Sequence, residues 1–468
     1  MKTKRLSKVS VDMLRVLIVI CLLCPSNHGH AKKRLVKVIE PTYYQVNKFL
    51  FGRIVVFNKE SMGGIVTSEG KEILPCISPS VVNEYSGPDG VAYYYNKETR
   101  HGTLIDMDGN KVAELPDGVY SNPIQHFNKG LLHVYKLEGS KLLPTMKWGM
   151  ADTSGKVVVS PVYEAMGGVS EGLINVYLNK KGGYIQTDGT VVHQMIYDEA
   201  YPFYNGVAKV GRIESGKMKY GLIDKEGNMV TPMEYDSMQD DFSDGLKAVG
   251  KLDTKSGTWS YGFIDTRGKV AVPLKYSQVG TFNEGLCAVR DKEHKYMVAF
   301  IDTRGESVIP YIDKSDVVGN VMPRFNDGAC ILYTAGKVGV IDKEGKAIVP
   351  FEYDNGTFLD KTPDFFNVNG AQNRVPMFVN DRAVMMHKGK WGVIDKTGRN
   401  VIPAEYNQIV GTKSHSYFLV KQNSKWGLVD AEGNMLLPAA YQALTINEDE
   451  AMVCYKENNK WGFMRIVD

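Results

Sequence analysis

From about residue 35 to its end the chain alternates apolar and polar positions in short runs, and no stretch carries a helical period. The runs are punctuated by glycine. The clearest copies read Trp148-Gly149 to Asp152 and Gly155, Tyr220-Gly221 to Asp224 and Gly227, Tyr261-Gly262 to Asp265 and Gly268, Val338-Gly339 to Asp342 and Gly345, Trp391-Gly392 to Asp395 and Gly398, and Trp426-Gly427 to Asp430 and Gly433. In Asp-x-x-Gly the aspartate suits the first position of a type I turn, where its carboxylate accepts backbone N–H groups, and the glycine suits the left-handed position after it. That combination is a common hairpin loop, so its flanks are expected to be antiparallel strands. Before the turn stand aromatic-Gly-apolar-Ile, and after it β-branched runs such as Val157 to Val159 and Ile348-Val349.

A proline follows at 161, 232, 273, 310, 350, 403 and 438, and a tyrosine soon after it at 163, 235, 276, 353, 406 and 441. The proline cannot donate to a ladder and so is expected at a strand end or an edge. Phe-x-x-Gly then opens a further alternating strand, as at Phe203, Phe242, Phe282 and Phe325. From Gly155 on, the turn glycines lie 34, 38, 41, 37, 40, 53 and 35 residues apart, the 53 marking an insertion. A unit of three or four short strands cannot bury both its faces, so neighbours must stack, with the Trp/Tyr, Pro and Tyr side chains forming the seams.

On this register the chain resembles the WG-repeat family of bacterial proteins, over residues 62 to 468. The resemblance implies the repeat fold and little chemistry, since its members look like exported or interaction proteins. Three places depart from the pattern: Gly102 to Asp106 is one residue too long, Gln186 stands for the turn aspartate, and Val298-Ala299 stands for Trp-Gly.

The expected fold is all-β, about ten units of 35–40 residues. Since a usual closed propeller has about four to eight blades, the favoured arrangement is an open, curved, solenoid-like array; a β-propeller, or two propeller-like arcs, is the alternative. The divisions are a leader over 1–31, N-terminal capping strands over 32–61, repeats over 62–354, an insertion loop over 355–377 and C-terminal repeats over 378–468.

Charge and cysteine usage narrow the functional classes. Lys2, Lys4, Arg5, Lys8 and Arg15 precede an apolar run from Val16 to Cys24, and Gly29 and Ala31 offer a cleavage site. This reads as a secretory leader, with a lipid anchor on Cys24 as the alternative membrane attachment. Export to the periplasm, cell surface or medium is therefore expected. The leader takes five basic residues and one acidic, leaving 51 against 52. The balance argues against a nucleic-acid partner. Beyond the leader Cys76, Cys287, Cys330 and Cys454 remain, too few for a disulfide framework. Cys287 and Cys330 occupy equivalent sites in consecutive units, where a small buried residue is expected and a bridge is the alternative.

Little in the sequence points to catalysis. The turn aspartates recur once per unit, whereas an acid/base pair must converge on one bond. The run Asp106 to Asn110 looks faintly like a calcium loop but lacks the closing glutamate, and the histidines form no ligand pair. No cofactor, metal site or catalytic residue is assigned. The candidate ligand-contacting residues are Trp259, which shares a strand face with Tyr261, and the run Tyr93, Tyr94, Tyr95. The expected function is a non-catalytic scaffold for a protein or peptide partner. A carbohydrate-binding module is the alternative, and a propeller-type hydrolase the third reading. An aromatic patch would favour sugar, an acid cluster an enzyme, and a broad mixed face a protein.

Overall fold

The computed structural model describes residues 33–82, 90–121, 127–140, 143–294, 297–313, 315–316, 322–354 and 377–468. The leader with Cys24, and residues 355–376 of the expected insertion, lie outside them. Among the described residues there is no helix, and the strands form eleven small antiparallel sheets arranged as a ring of blades. Blade 1 spans 45–78, blade 2 81–114, blade 3 127–163, blade 4 165–197, blade 5 199–235, blade 6 237–276, blade 7 278–312, blade 8 315–353, blade 9 383–406 and blade 10 408–441. Blade 11 takes three strands from 443–467 and its fourth from the other end of the chain.

That fourth strand closes the ring. Arg34–Tyr43 pairs antiparallel with Lys460–Val467, Arg34 opposite Val467 and Tyr43 opposite Trp461. Val46, Phe49, Ile54 and Val56 of blade 1 then pack against Met452, Cys454, Trp461 and Phe463 of blade 11 in one core cluster. Of the two arrangements considered, the chain takes the propeller-like ring. The segment expected to cap an open array supplies the last strand of blade 11 and the first two strands of blade 1.

Within a typical blade the strands run A, B, C, D in order. The A–B connection is a two-residue turn with both residues left-handed, as at Glu284 (φ 53°) and Gly285 (φ 83°), which matches the twist of the paired strands. Asp-x-x-Gly joins C to D as expected: the Gly268 N–H donates to Asp265 O at 2.9 Å, and Asp265 Oδ1 accepts the N–H groups of Arg267 and Lys269. Strand D is then bulged and presses a carbonyl onto strand C. A Cβ on Gly149 would lie 2.3 Å from Val159 O, and one on Gly262 2.4 Å from Val272 O. Glycine follows the aromatic because the backbone of strand D fills the place of a side chain. The D-strand tyrosines 163, 235, 276, 353 and 406 are buried in the seams, as the pattern predicted.

Two sets of polar links stitch the blades together. On the face of the A–B turns, the residue before the turn glycine accepts N–H groups from the next blade: Glu171 from Gly206, Asp244 from Gly285, Glu284 from Asp327 and Gly328, and Asp327 from Asp381. Lysines of the next C–D turn reach the same carboxylates, Lys225 to Glu171, Lys343 to Glu284 and Lys396 to Asp327. The closing seam repeats the device, with Gly52 N donating to Glu450 at 2.9 Å and Asn447 Nδ2 to Phe49 O at 2.6 Å. On the opposite face, that of the B–C hairpins, the residue after the D-strand tyrosine takes a lysine seventeen residues earlier and an N–H of the following blade. Asp198 joins Lys181 to Ile213 N, Asp236 joins Lys219 to Leu252 N, and Asp354 joins Lys337 to Gly389 N.

Candidate binding site

The B–C face carries the ring's irregularities. Most B–C hairpins turn soon after the aromatic, but those of blades 3, 5 and 6 run further, over Leu131–Ser140 with Leu143–Asp152, Val207–Glu214 with Lys217–Asp224, and Leu246–Asp253 with Thr258–Asp265. Each raises a cross-strand apolar pair beyond the repeat aromatic: Leu137 with Met146, Ile213 with Met218, and Leu252 with Trp259. Leu137, Met146 and Ile213 are 50%, 44% and 55% exposed, as are large apolar side chains elsewhere on the ring, so it is their pairing across the long hairpins and not their exposure that sets these three blades apart. Below them Trp148, Tyr220 and Tyr261 stay half-buried, whereas Trp391, Trp426 and Trp461 in the short-hairpin blades are buried.

Trp259 falls in this region, stacked on Tyr261 with centroids 5.4 Å apart and planes 12° from parallel. Both rings line a cleft of about 370 Å³ where blade 6 meets blade 7, together with Ser237, Gln239, Ser277 and Gln278. The three consecutive tyrosines are divided by strand alternation. Tyr93 is buried, and its hydroxyl accepts the Ser121 N–H at 3.2 Å, so it is core. Tyr94 is half-buried against the core between blades 1 and 2. Tyr95 begins a row of half-buried rings, touching Tyr120 at 6.1 Å, which touches Tyr135 at 5.9 Å, which touches Trp148 at 5.5 Å. The sequence reading missed Tyr120 and Tyr135, which precede no repeat glycine; their only signal is the tyrosine abundance of the segment.

A larger cleft of about 660 Å³ opens where blade 7 has lost its Trp-Gly pair, with Ala299 on its wall and Ser260, Lys275, Asp291, Lys292 and Tyr311 around it. Asp291 accepts the Tyr311 hydroxyl at 2.7 Å and pairs with His294 Nδ1 at 3.0 Å, and the His294 ring stacks on Tyr311 at 3.9 Å. Burial alone would raise the Asp291 carboxyl, but the His294 N–H, the Tyr311 hydroxyl and the His294 ring hold it below its usual range.

The remaining sequence candidates resolve into structure. Asp106 Oδ1 accepts the N–H groups of Asp108 and Asn110, both at 2.9 Å, and Asn110 Nδ2 donates to Oδ2, so the calcium-like run is a turn holding itself. Cys287 and Cys330 are free thiols in different seams, and burial pushes both upward from the usual thiol range. No three His, Cys, Asp or Glu side chains among the described residues converge to hold a metal. One polar cluster had no sequence signal. Lys209 and Lys247, from strands B of blades 5 and 6, are both buried in the shared seam. Lys209 pairs with Asp240 and lies 3.7 Å from the Tyr201 ring centre, while Lys247 donates to Asp240 O at 2.8 Å.

The family model described as a WG containing repeat matches seven segments, 148–181, 183–211, 220–251, 261–296, 339–359, 391–426 and 426–461. The chain belongs to the WG-repeat family. No curated protein matches it. Solved structures similar to the WG-repeat ring include a eukaryotic initiation factor, at 12% identity over 88% of this chain and 98% of that one, TM-score 0.41. Another is BamB from Moraxella catarrhalis, at 10% identity over 64% and 90%, TM-score 0.31. Scores this low carry no argument about function.

Proposed function

We propose that the WG-repeat ring is a non-catalytic, extracytoplasmic scaffold that holds a peptide or protein partner on its B–C hairpin face. The observation that carries this reading is the set of three long hairpins, each raising an apolar cross-strand pair above the ring. Apolar side chains on rigid strands give an anchor for a partner's apolar residues at small entropic cost. The basic leader and apolar run support export. The test is a peptide display selection against the purified ring, repeated with Met146→Lys and Ile213→Lys. Selected peptides should bind the parent and weaken about tenfold or more against the variants. Peptides that bind both variants like the parent would refute the assignment.

Carbohydrate binding is the second reading, favoured by the half-buried row Tyr95, Tyr120, Tyr135 and Trp148. Planar rings presented in a row suit the C–H faces of successive sugar units. Tyr135→Ala with Trp148→Ala should then weaken binding of a long glycan in a pull-down on insoluble polysaccharide, and unchanged retention would remove this reading.

A further inference from the structure

The cleft beneath Trp259 has a different chemistry from the hairpin tips above it. Its polar wall is Ser237, Gln239, Ser277 and Gln278, with Ala248 and Val279 as the apolar remainder, and no charged side chain lines it. The Trp259–Tyr261 stack lines the same cleft, and Ser237 shares its sheet, since Ser237 stands opposite Gly250 and Gly250 opposite Tyr261. Gly250 makes that stack flat: a Cβ there would lie 2.6 Å from the Tyr261 ring and 3.4 Å from Trp259. The polar groups offer both donors and acceptors. Gln239 Oε1 accepts the Ala248 N–H at 3.4 Å, which leaves its NH2 as donor, and Ser277 Oγ donates to Asp291 O at 2.9 Å, which leaves its lone pairs as acceptors.

We infer that this cleft is a subsite for one uncharged sugar ring, its C–H face on Trp259 and its hydroxyls on the Gln and Ser side chains. The inference deepens the carbohydrate reading but stands on a cleft separate from the aromatic row. Three physical points select this ligand. A hydrocarbon side chain of a peptide would cover the remaining hydrogen-bonding capacity of two amides and two hydroxyls with nothing to meet it, and unmet polar groups are costly. A phosphate or carboxylate would be desolvated with no countercharge on the lining. A pyranose has one apolar face and an edge of hydroxyls that donate and accept, and a cleft of about 370 Å³ is within the size range of small-ligand sites. The neighbouring 660 Å³ cleft, lined by Lys275, Asp291 and Lys292, lacks these properties.

The experiment is a glycan array followed by calorimetry, using neutral gluco-, manno-, galacto- and N-acetylglucosamine oligosaccharides beside uronate-containing and sialylated ones. The proteins are the parent ring, Trp259→Ala, Trp259→Phe, Gln278→Ala and Met146→Lys, each checked for an unchanged melting temperature. The expected result is binding of a neutral oligosaccharide that weakens about tenfold with Trp259→Ala, less with Trp259→Phe, and several-fold with Gln278→Ala. Met146→Lys should leave sugar binding intact, which separates this site from the peptide surface. Added to the same array, the double variant Tyr135→Ala with Trp148→Ala separates the two sites: binding lost there but kept with Trp259→Ala would place the sugar on the aromatic row and overturn the inference. Absence of binding to every neutral glycan overturns the inference, as does binding that survives Trp259→Ala or equal preference for charged glycans.

Discussion

Phe463 is the residue on which ring closure can be tested. It is fully buried between the first and last blades, edge-on to Phe49 at 5.3 Å and stacked near Tyr43 at 6.1 Å. An aromatic side chain buries about 150–250 Å², which at about 25 cal/mol per Å² is about 4–6 kcal/mol. Measured Phe→Ala losses in cores are about 3–5 kcal/mol, so Phe463→Ala should cost about 4 kcal/mol. Phe300, equally buried and edge-on to Phe325 at 5.0 Å in the seam between blades 7 and 8, is the matched control. In a closed ring both substitutions open one of eleven equivalent seams, so both should lower the denaturation midpoint by similar amounts. Hydrogen exchange should separate the cases further. Phe463→Ala should speed exchange in 45–57 as well as in 452–467, segments far apart in sequence. A midpoint within about 1 kcal/mol of the parent, with exchange quickened only in 452–467, would mean that the ends do not meet.

Gly262→Ala should destabilise by about 1–3 kcal/mol or more, because its Cβ would meet the Val272 carbonyl at 2.4 Å; thermal melting would reveal it, and a neutral result would contradict the role assigned to the second signature residue. Burial, helped by the charge of Lys209, lowers the Lys247 amine from 10.5 to about 8. Between those pH values the unfolded chain retains a proton that the folded ring has released, so this site's contribution to stability rises with pH across that window. Lys247→Met should therefore stabilise by about 1–3 kcal/mol at pH 7, with a gain that shrinks from pH 8 to 10.5, and a pH-independent gain in denaturant titrations would oppose this account. Burial opposes ionisation of Asp395, yet bonds from Thr397 and Arg399 hold its carboxyl at about 2. Its stabilisation should be complete above pH 4 and fade as pH falls towards 2, so Asp395→Ala should cost about 1–2 kcal/mol at pH 7 by urea titration and little at pH 2. Among Cys76, Cys287, Cys330 and Cys454, only half-buried Cys76 should react with a thiol reagent before unfolding.

The turn and seam residues were readable in sequence because their requirements are local. Asp265 and Gly268 make a turn three residues apart, and Tyr276 meets Tyr261 across one hairpin. Closure was not readable, because Arg34–Tyr43 carries no repeat signature and its partner strand lies more than 400 residues away. The count of eleven follows from closure, since the repeat ending on Trp461-Gly462 is only a half unit in sequence and becomes a full blade when Arg34–Tyr43 pairs with it. Trp259 is legible because it breaks the pattern beside a repeat tyrosine, whereas Gln239 of its own blade and Gln278 of the next reach the same cleft only through the fold. The links from lysine to aspartate were overlooked although their constant spacing of seventeen residues was present in the sequence.

The closing strand has an evolutionary consequence. An open array can lengthen or shorten by whole repeats at either end, with each neighbour contact left as it was. A ring of eleven turns by about 33° at each seam, and a twelfth unit would require every seam to adopt a new angle before the ends could meet again. Duplication of a unit is therefore barred unless all the others yield together. Variation can instead enter by lengthening a hairpin or letting a signature lapse, as in blades 3, 5, 6 and 7, so novelty in this lineage should accumulate within blades while their number stays fixed.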